Sequence, residues 1–175
     1  METTHIVAAA IGALLLFWAI GAYNRLVRLR GEIVRGFAPV DDGIRARHAL
    51  LLRLIDALAP LLANAAPRLE ALRAACGQVE TACAHARVRP GASGAITSLK
   101  LADLILGEAR ARLPFASVAG SDLAALAAEL QASDAALAFA RRRFDEAVAD
   151  YNRAVRQFPT LLLVRLFGFR SATPL

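Results

Sequence analysis

The first pattern in the chain is an apolar run that no charge interrupts. IVAAAIGALLLFWAIGAY, Ile6–Tyr23, holds no Asp, Glu, Lys or Arg. At ~1.5 Å per helical residue it reaches about 27 Å, close to the ~30 Å of a bilayer's hydrocarbon core. Beyond it, apolar residues recur in steps of three and four, which is helical spacing. Residues 38–66 place Ile44, Leu51, Ile55, Leu58 and Leu62 on one line with His48, and Pro39 and Pro60 are expected to bend or interrupt that helix. Residues 67–87 give Leu69, Leu72, Cys76, Val79, Cys83 and Ala86, with Pro67 placed at the first turn. VRPGASGA, residues 88–95, breaks the chain.

A third helix is expected over 96–114, buried through Ile96, Leu99, Leu104 and Leu106 or their neighbours. FASVAGSD, residues 115–122, turns the chain, with Ser121 as the expected N-cap of a fourth and longest helix. The line of that helix is Leu123, Leu126, Leu130, Leu137, Phe144, Val148, Tyr151, Val155 and Phe158, and Pro159 marks its end. Helices joined by short loops pack antiparallel. The predicted fold is therefore all-α: an N-terminal transmembrane helix, then an antiparallel up-and-down four-helix bundle with two long and two shorter helices. It divides as a leader (1–5), a span (6–23), a helical body (24–158) and an apolar tail (159–175). In that arrangement the fourth helix returns to the bilayer. The tail FPTLLLVRLFGF, 158–169, is then expected in the headgroup layer or against the base of the bundle.

Charge sets the orientation. The span is followed by Arg25, Arg28, Arg30 and Arg35 against one acid, Glu32, whereas the leader METTH offers only Glu2 and His5. The positive-inside rule places the N-terminus outside and the body in the cytoplasm. A cleaved signal peptide, with small residues at Ala19–Gly21, is the rival reading; the leader lacks basic residues and the apolar run is longer than an ordinary signal-peptide core. Interface residues expected from this geometry are Trp18, Tyr23, Arg25, Arg28, Arg30, Arg165, Phe167 and Phe169, aromatic rings and arginines suited to the headgroup level.

Composition adds little beyond this. Apolar residues make up 57% of the 175, alanine being prominent, and the net charge of +6 comes almost wholly from arginine, Lys100 being the one lysine. Nucleic-acid binding would need those arginines clustered away from the membrane. The topology already accounts for the cluster at the stem.

Two stretches resemble a known family. YNRLVRLRGEIVRGFAPVDDGIRARHALLLRLI (23–55) carries Tyr23, Asn24, Leu26, Val27, Leu29, Arg30, Val40, Asp41, Arg45, Arg47, Leu50 and Leu51. YNRAVRQFPTLLLVRLFGF (151–169) carries Tyr151, Asn152, Val155, Phe158, Pro159, Phe167, Gly168 and Phe169. Together they resemble the LemA family of bacterial membrane proteins. They depart from it at Ala49–Arg53, where the family has Asp-Leu-Ile-Pro-Asn. The resemblance implies the same architecture, in a bacterial inner membrane, and no settled activity. It also marks Tyr23, Asn24, Asp41, Tyr151, Asn152, Phe158 and Pro159 as packing positions.

No constellation of catalytic residues stands out. Cys76 and Cys83 are seven apart on one helix face, about 10 Å along the axis, too far for a disulfide or a shared zinc, and read as core thiols. His48 and Asp41 share a line, read either as a polar pair facing the interior or, in preference, as a satisfied histidine on a frayed stem. GASG (91–94) has the letters of an RNA-clamping loop and the surroundings of a plain turn. Arg141 and Arg142 are expected to pair with Asp145 and Glu146 on a solvated face. Tyr151 and Asn152 are expected to hold the fourth helix against the stem. The expectation is a non-enzymatic membrane scaffold or partner-binding module, with no cofactor or metal. Its partners are the lipid bilayer and an unidentified protein; a homo-oligomer is open and nucleic acid is not expected. An arginine-mediated nucleic-acid or anionic-lipid module is the alternative, and an enzyme comes last.

Overall fold

A computed structural model describes residues 2–113 and 121–175, leaving aside the side chains of Ala63, Ser121, Asp122 and Arg165. The described residues are mainly helical and include no strand. Five α-helices follow in order: α1 (Glu2–Leu58), α2 (Ala66–Val88), α3 (Ser93–Ala111), α4 (Ser121–Arg156) and α5 (Thr160–Phe167). The expected turn at 115–122 falls largely outside the described residues, as does the capping side chain of Ser121.

α1 joins the apolar run to the body in one helix of 57 residues. Contrary to the expected interruption, it passes unbroken through Pro39. Proline removes one backbone donor, but Pro39 faces outward, where the carbonyl it leaves free can be hydrated. Phe37 and Val40 on either side are fully buried and hold the helix to its partner. Pro60 does end a helix. α1 stops at Leu58, and the turn is closed by the Leu61 and Leu62 amides donating to the Leu58 carbonyl.

The core runs the length of α1 below the span. Leu26, Ile33, Phe37, Val40, Ile44, Leu51, Ile55 and Leu58 form one buried line, and α4 supplies Leu130, Leu137, Phe144, Val148, Tyr151 and Val155 against it. Phe37 and Phe144 meet edge to face, with centroids 5.6 Å apart. Gly43 lets the helices approach, since a Cβ there would come within 3.1 Å of Leu137. The register is read from Gly36 lying against Phe144, Gly43 against Leu137 and Arg53 paired with Glu129. α2 packs on both α1 and α3, burying Leu69, Leu72, Cys76, Val79, Cys83 and Ala86 as the spacing predicts. α3 reaches α4 through the ion pairs Asp103–Arg141 and Asp134–Arg110.

Two positions on the expected lines depart from them. Leu104 is 60% exposed. Asp103 beside it turns inward to meet arginines, which rotates Leu104 to the outside. Phe158, expected to pack, is 77% exposed, because α4 ends at Arg156 and the following turn swings the ring out before Pro159. The apolar tail holds a helix of its own, α5, which the sequence reading lacks. Gly168 ends it in the left-handed conformation, φ 68°, and its amide donates to the Val164 carbonyl.

Candidate functional site

Two polar features stand out against this apolar body. One is a cluster of charges beneath α1 and α2, and the other is the base where the span leaves the body.

Asp41 is buried, 6% exposed, on the inner line of α1. Its carboxylate accepts hydrogen bonds from Arg87 at 2.7 Å, Arg45 at 2.8 Å and the Cys83 thiol at 3.2 Å. Burial pushes the carboxyl pKa up, but the Arg87 and Cys83 hydrogen bonds and the two guanidinium charges outweigh it and hold the group below the ordinary carboxylate value. Burial together with the neighbouring carboxylate pushes the Cys83 thiol up to about 12. A thiol so placed is a hydrogen-bond donor and no nucleophile at neutral pH. His48 lies 3.7 Å from Glu80 at the rim of a cleft of about 400 Å³ that these residues line. The stem is therefore not frayed at Asp41; the aspartate is tied into the core, and His48 sits beside the cleft.

A second carboxylate, Asp103, is shared by Arg47 and Arg141. Burial raises its pKa, and the hydrogen bond and charge of Arg141 with the charge of Arg47 bring it below the ordinary value. Arg141 thus reaches across to α3, in place of the expected pairing with Asp145 along its own helix. Asp145 instead accepts the Leu175 amide at 2.6 Å. Among the described residues no group of three or more His, Cys, Asp or Glu is placed to hold a metal ion. Cys76 and Cys83 are both free and buried.

At the base, the apolar run stands clear of the body. From Ile6 to Tyr23 none is buried; Ala19 and Ala22 are half-buried and the others are exposed. Trp18 is 36% exposed, and Asn24, Arg25, Arg28 and Arg30 all face outward. Tyr23 touches both Phe167 and Phe169, with ring centroids 5.1 and 5.8 Å away. Phe167 stays over half exposed, whereas Phe169 packs partly into the core. The side chain of Arg165 lies outside the described residues.

After Gly168 the chain turns back along α4 as an extended strap, residues 169–175. Tyr151 donates its hydroxyl to the Arg170 carbonyl at 3.0 Å. Burial pushes the Tyr151 pKa up, and the charge of Arg30 opposes the rise. Asn152 grips Ala172 from both sides: its Nδ2 donates to the carbonyl, and its Oδ1 accepts the amide, both at 2.8 Å. The Thr173 amide donates to the Gly91 carbonyl at 2.9 Å, in the turn between α2 and α3. Tyr151 and Asn152 therefore hold the strap, where the sequence reading has them holding α4 to the stem. Pro159 opens α5.

Residues 118–175 match the LemA family. The match contains α4, α5 and the strap, and with them Tyr151, Asn152, Pro159 and Gly168. The second of the two LemA-like stretches, 151–169, lies inside it. No curated protein matches the chain. The LemA-matching segment is thus the part whose backbone is tied by Asn152. The signal that could have revealed this is Tyr-Asn placed a short turn and one glycine-ended helix before the strap.

Proposed function

We propose that the chain is a single-pass protein of the bacterial inner membrane, its N-terminus outside and its helical body in the cytoplasm, serving there as a non-enzymatic scaffold or partner-binding module. The observation that carries this reading is α1 itself: a single helix whose apolar first part lies open and whose second part is core. Its most apolar stretch has a mean hydropathy of 2.2, and none of that stretch is buried. Leaving eighteen such residues in water is costly, and a bilayer removes that cost. The arginines that follow give the orientation.

The body is read as an antiparallel up-and-down four-helix bundle. The pairing of residues 36, 43 and 53 with 144, 137 and 129 supports it, since one number rises as the other falls. The paired carboxylates and inert thiols favour a binding module over an enzyme.

Nucleic-acid binding is the weaker reading. Arg45, Arg47, Arg53, Arg73, Arg87, Arg110 and Arg141 in the body are each paired with a carboxylate. Arg25, Arg28, Arg30 and Arg35 form no ion pair among the described residues, and the first three follow Tyr23 within about 11 Å along α1, toward the headgroups.

A phosphatase active only in the periplasm, fused to the C-terminus of the full chain, should be inactive; strong activity would overturn the topology. Retention of DNA by the full chain in detergent, falling steeply with salt, would favour the second reading. The scaffold role requires a stoichiometric protein companion from the same membrane on co-purification.

A further inference from the structure

The outward side of α5 is an apolar surface with nothing of the body upon it. Leu163 and Val164 turn inward and are buried. Leu162 and Leu166, one turn apart on the opposite side, are 61% and 75% exposed, and Phe158 and Leu161 flank them. A helix of this size does not choose such a pattern for water.

Its position says what covers it. The C-terminal end of α5 touches Tyr23, the last residue of the uncharged run, through Phe167 and Phe169. Ala22 beside it and Ala19 one turn further into the span are the half-buried residues of that run. A span of about 27 Å that fills the hydrocarbon core leaves Tyr23 at its edge, in the interface. α5 is therefore fixed at the depth of the headgroups. Charge agrees: from Tyr151 to Leu175 the sequence has Arg153, Arg156, Arg165 and Arg170 and no carboxylate side chain. The stem adds Arg25, Arg28 and Arg30.

We propose that α5 is an interfacial membrane-binding helix, its Leu162–Leu166 face seated among the headgroups and upper acyl chains of an anionic bilayer. Tyr23 fixes its depth from one side. The strap gripped by Asn152 fixes it from the other, so the tail divides its work: α5 faces lipid while residues 169–175 bind the body. This rests on the reading of α1 as a membrane span, and the test keeps the two apart.

The full chain is reconstituted in vesicles of phosphatidylglycerol and phosphatidylethanolamine, with a bimane fluorophore on single introduced cysteines. Wild type, whose Cys76 and Cys83 are buried, is the labelling blank. The positions are Leu15→Cys in the span, Leu162→Cys and Leu166→Cys on α5, and Leu61→Cys in the distal turn. Leu61 lies more than about 50 Å along α1 from Tyr23. Lipids carrying a nitroxide deep on the acyl chain are the quencher for position 15, and lipids carrying a shallow one are the quencher for 61, 162 and 166.

The expected result is that 15, 162 and 166 lose roughly half or more of their emission while 61 keeps nearly all of it. If 15 is quenched but 162 and 166 behave like 61, the span stands and the interfacial helix is overturned. If 15 is not quenched, the span fails and α5 with it. Emission at 162 and 166 that is shielded from water but indifferent to the nitroxide lipid would mean a protein partner, a second copy included. That too overturns the proposal.

Discussion

Asp41 is a charge taken out of water and repaid by three donors from two helices. Its arginines are each about half exposed, so they regain water if the carboxylate is lost. Asp41→Asn should therefore destabilise the body by about 1–3 kcal/mol, less than the loss of one partner from a fully enclosed pair. The acid dependence follows from direction. The folded-state pKa values of Asp41 and Asp103 lie below the ordinary 3.8. Their stabilisation is therefore complete above that value and is lost as pH falls through the folded values. Urea unfolding of the full chain in detergent should show the gap between wild type and Asp41→Asn unchanged from about pH 7 to about pH 5 and closing only as pH falls below the ordinary 3.8. Loss of the helical circular-dichroism signal gives the readout, since the described residues are mainly helical. A gap that widens in acid would remove the carboxylate from this role.

At the scale of elements, two glycines end or turn helices with positive φ, and they should differ in what replacement costs. Gly168 has φ 68° and open space around a built Cβ, so Gly168→Ala carries the backbone penalty alone, about 1 kcal/mol. Gly91 has φ 85°, and a Cβ there would stand 3.0 Å from the Ala172 Cβ and 3.4 Å from Ile33. Gly91→Ala should cost more, about 2 kcal/mol or above, because the strap must also shift. Equal costs in urea unfolding would mean that the strap does not lean on this turn. The helices themselves are largely legible in the sequence. The α2 line is read correctly from spacing alone, since six apolar residues in steps of three and four admit one buried face. The strap has no such signature. Asn152 recognises backbone, not a side-chain pattern, so nothing periodic announces it. The ties of Asp41 to Arg87 and of Asp103 to Arg141 escape for a related reason: these partners sit on other helices, and sequence separations of 46 and 38 hide them. Nearby pairs, such as Arg141 with Asp145, are then easily overvalued.

For the whole molecule the strap matters because it joins parts that the helices leave separate. It leaves α5 beside Tyr23, follows α4 at Tyr151, Asn152 and Asp145, and reaches the α2–α3 turn at Gly91. Since Pro159 closes α4 before the tail begins, the tail reads in sequence as dispensable to the body. The hydrogen bonds argue otherwise. Deleting residues 169–175 leaves Tyr151 and Asn152 without partners and uncovers the edge against which Phe169 and Ala172 pack. The deletion should destabilise the body by about 2–4 kcal/mol, the sum of a few net hydrogen bonds and modest apolar burial. Asn152→Ala alone should cost about 1–2 kcal/mol. The decisive quantity is the cycle between them. If Asn152 acts through the strap, its replacement in the shortened chain should cost almost nothing, giving a coupling of about 1–2 kcal/mol. If it acts within α4, the two losses will add. Cysteine alkylation against urea, with the span retained in every chain, measures all four corners, and additivity would sever the link between the LemA-like Tyr-Asn and the strap.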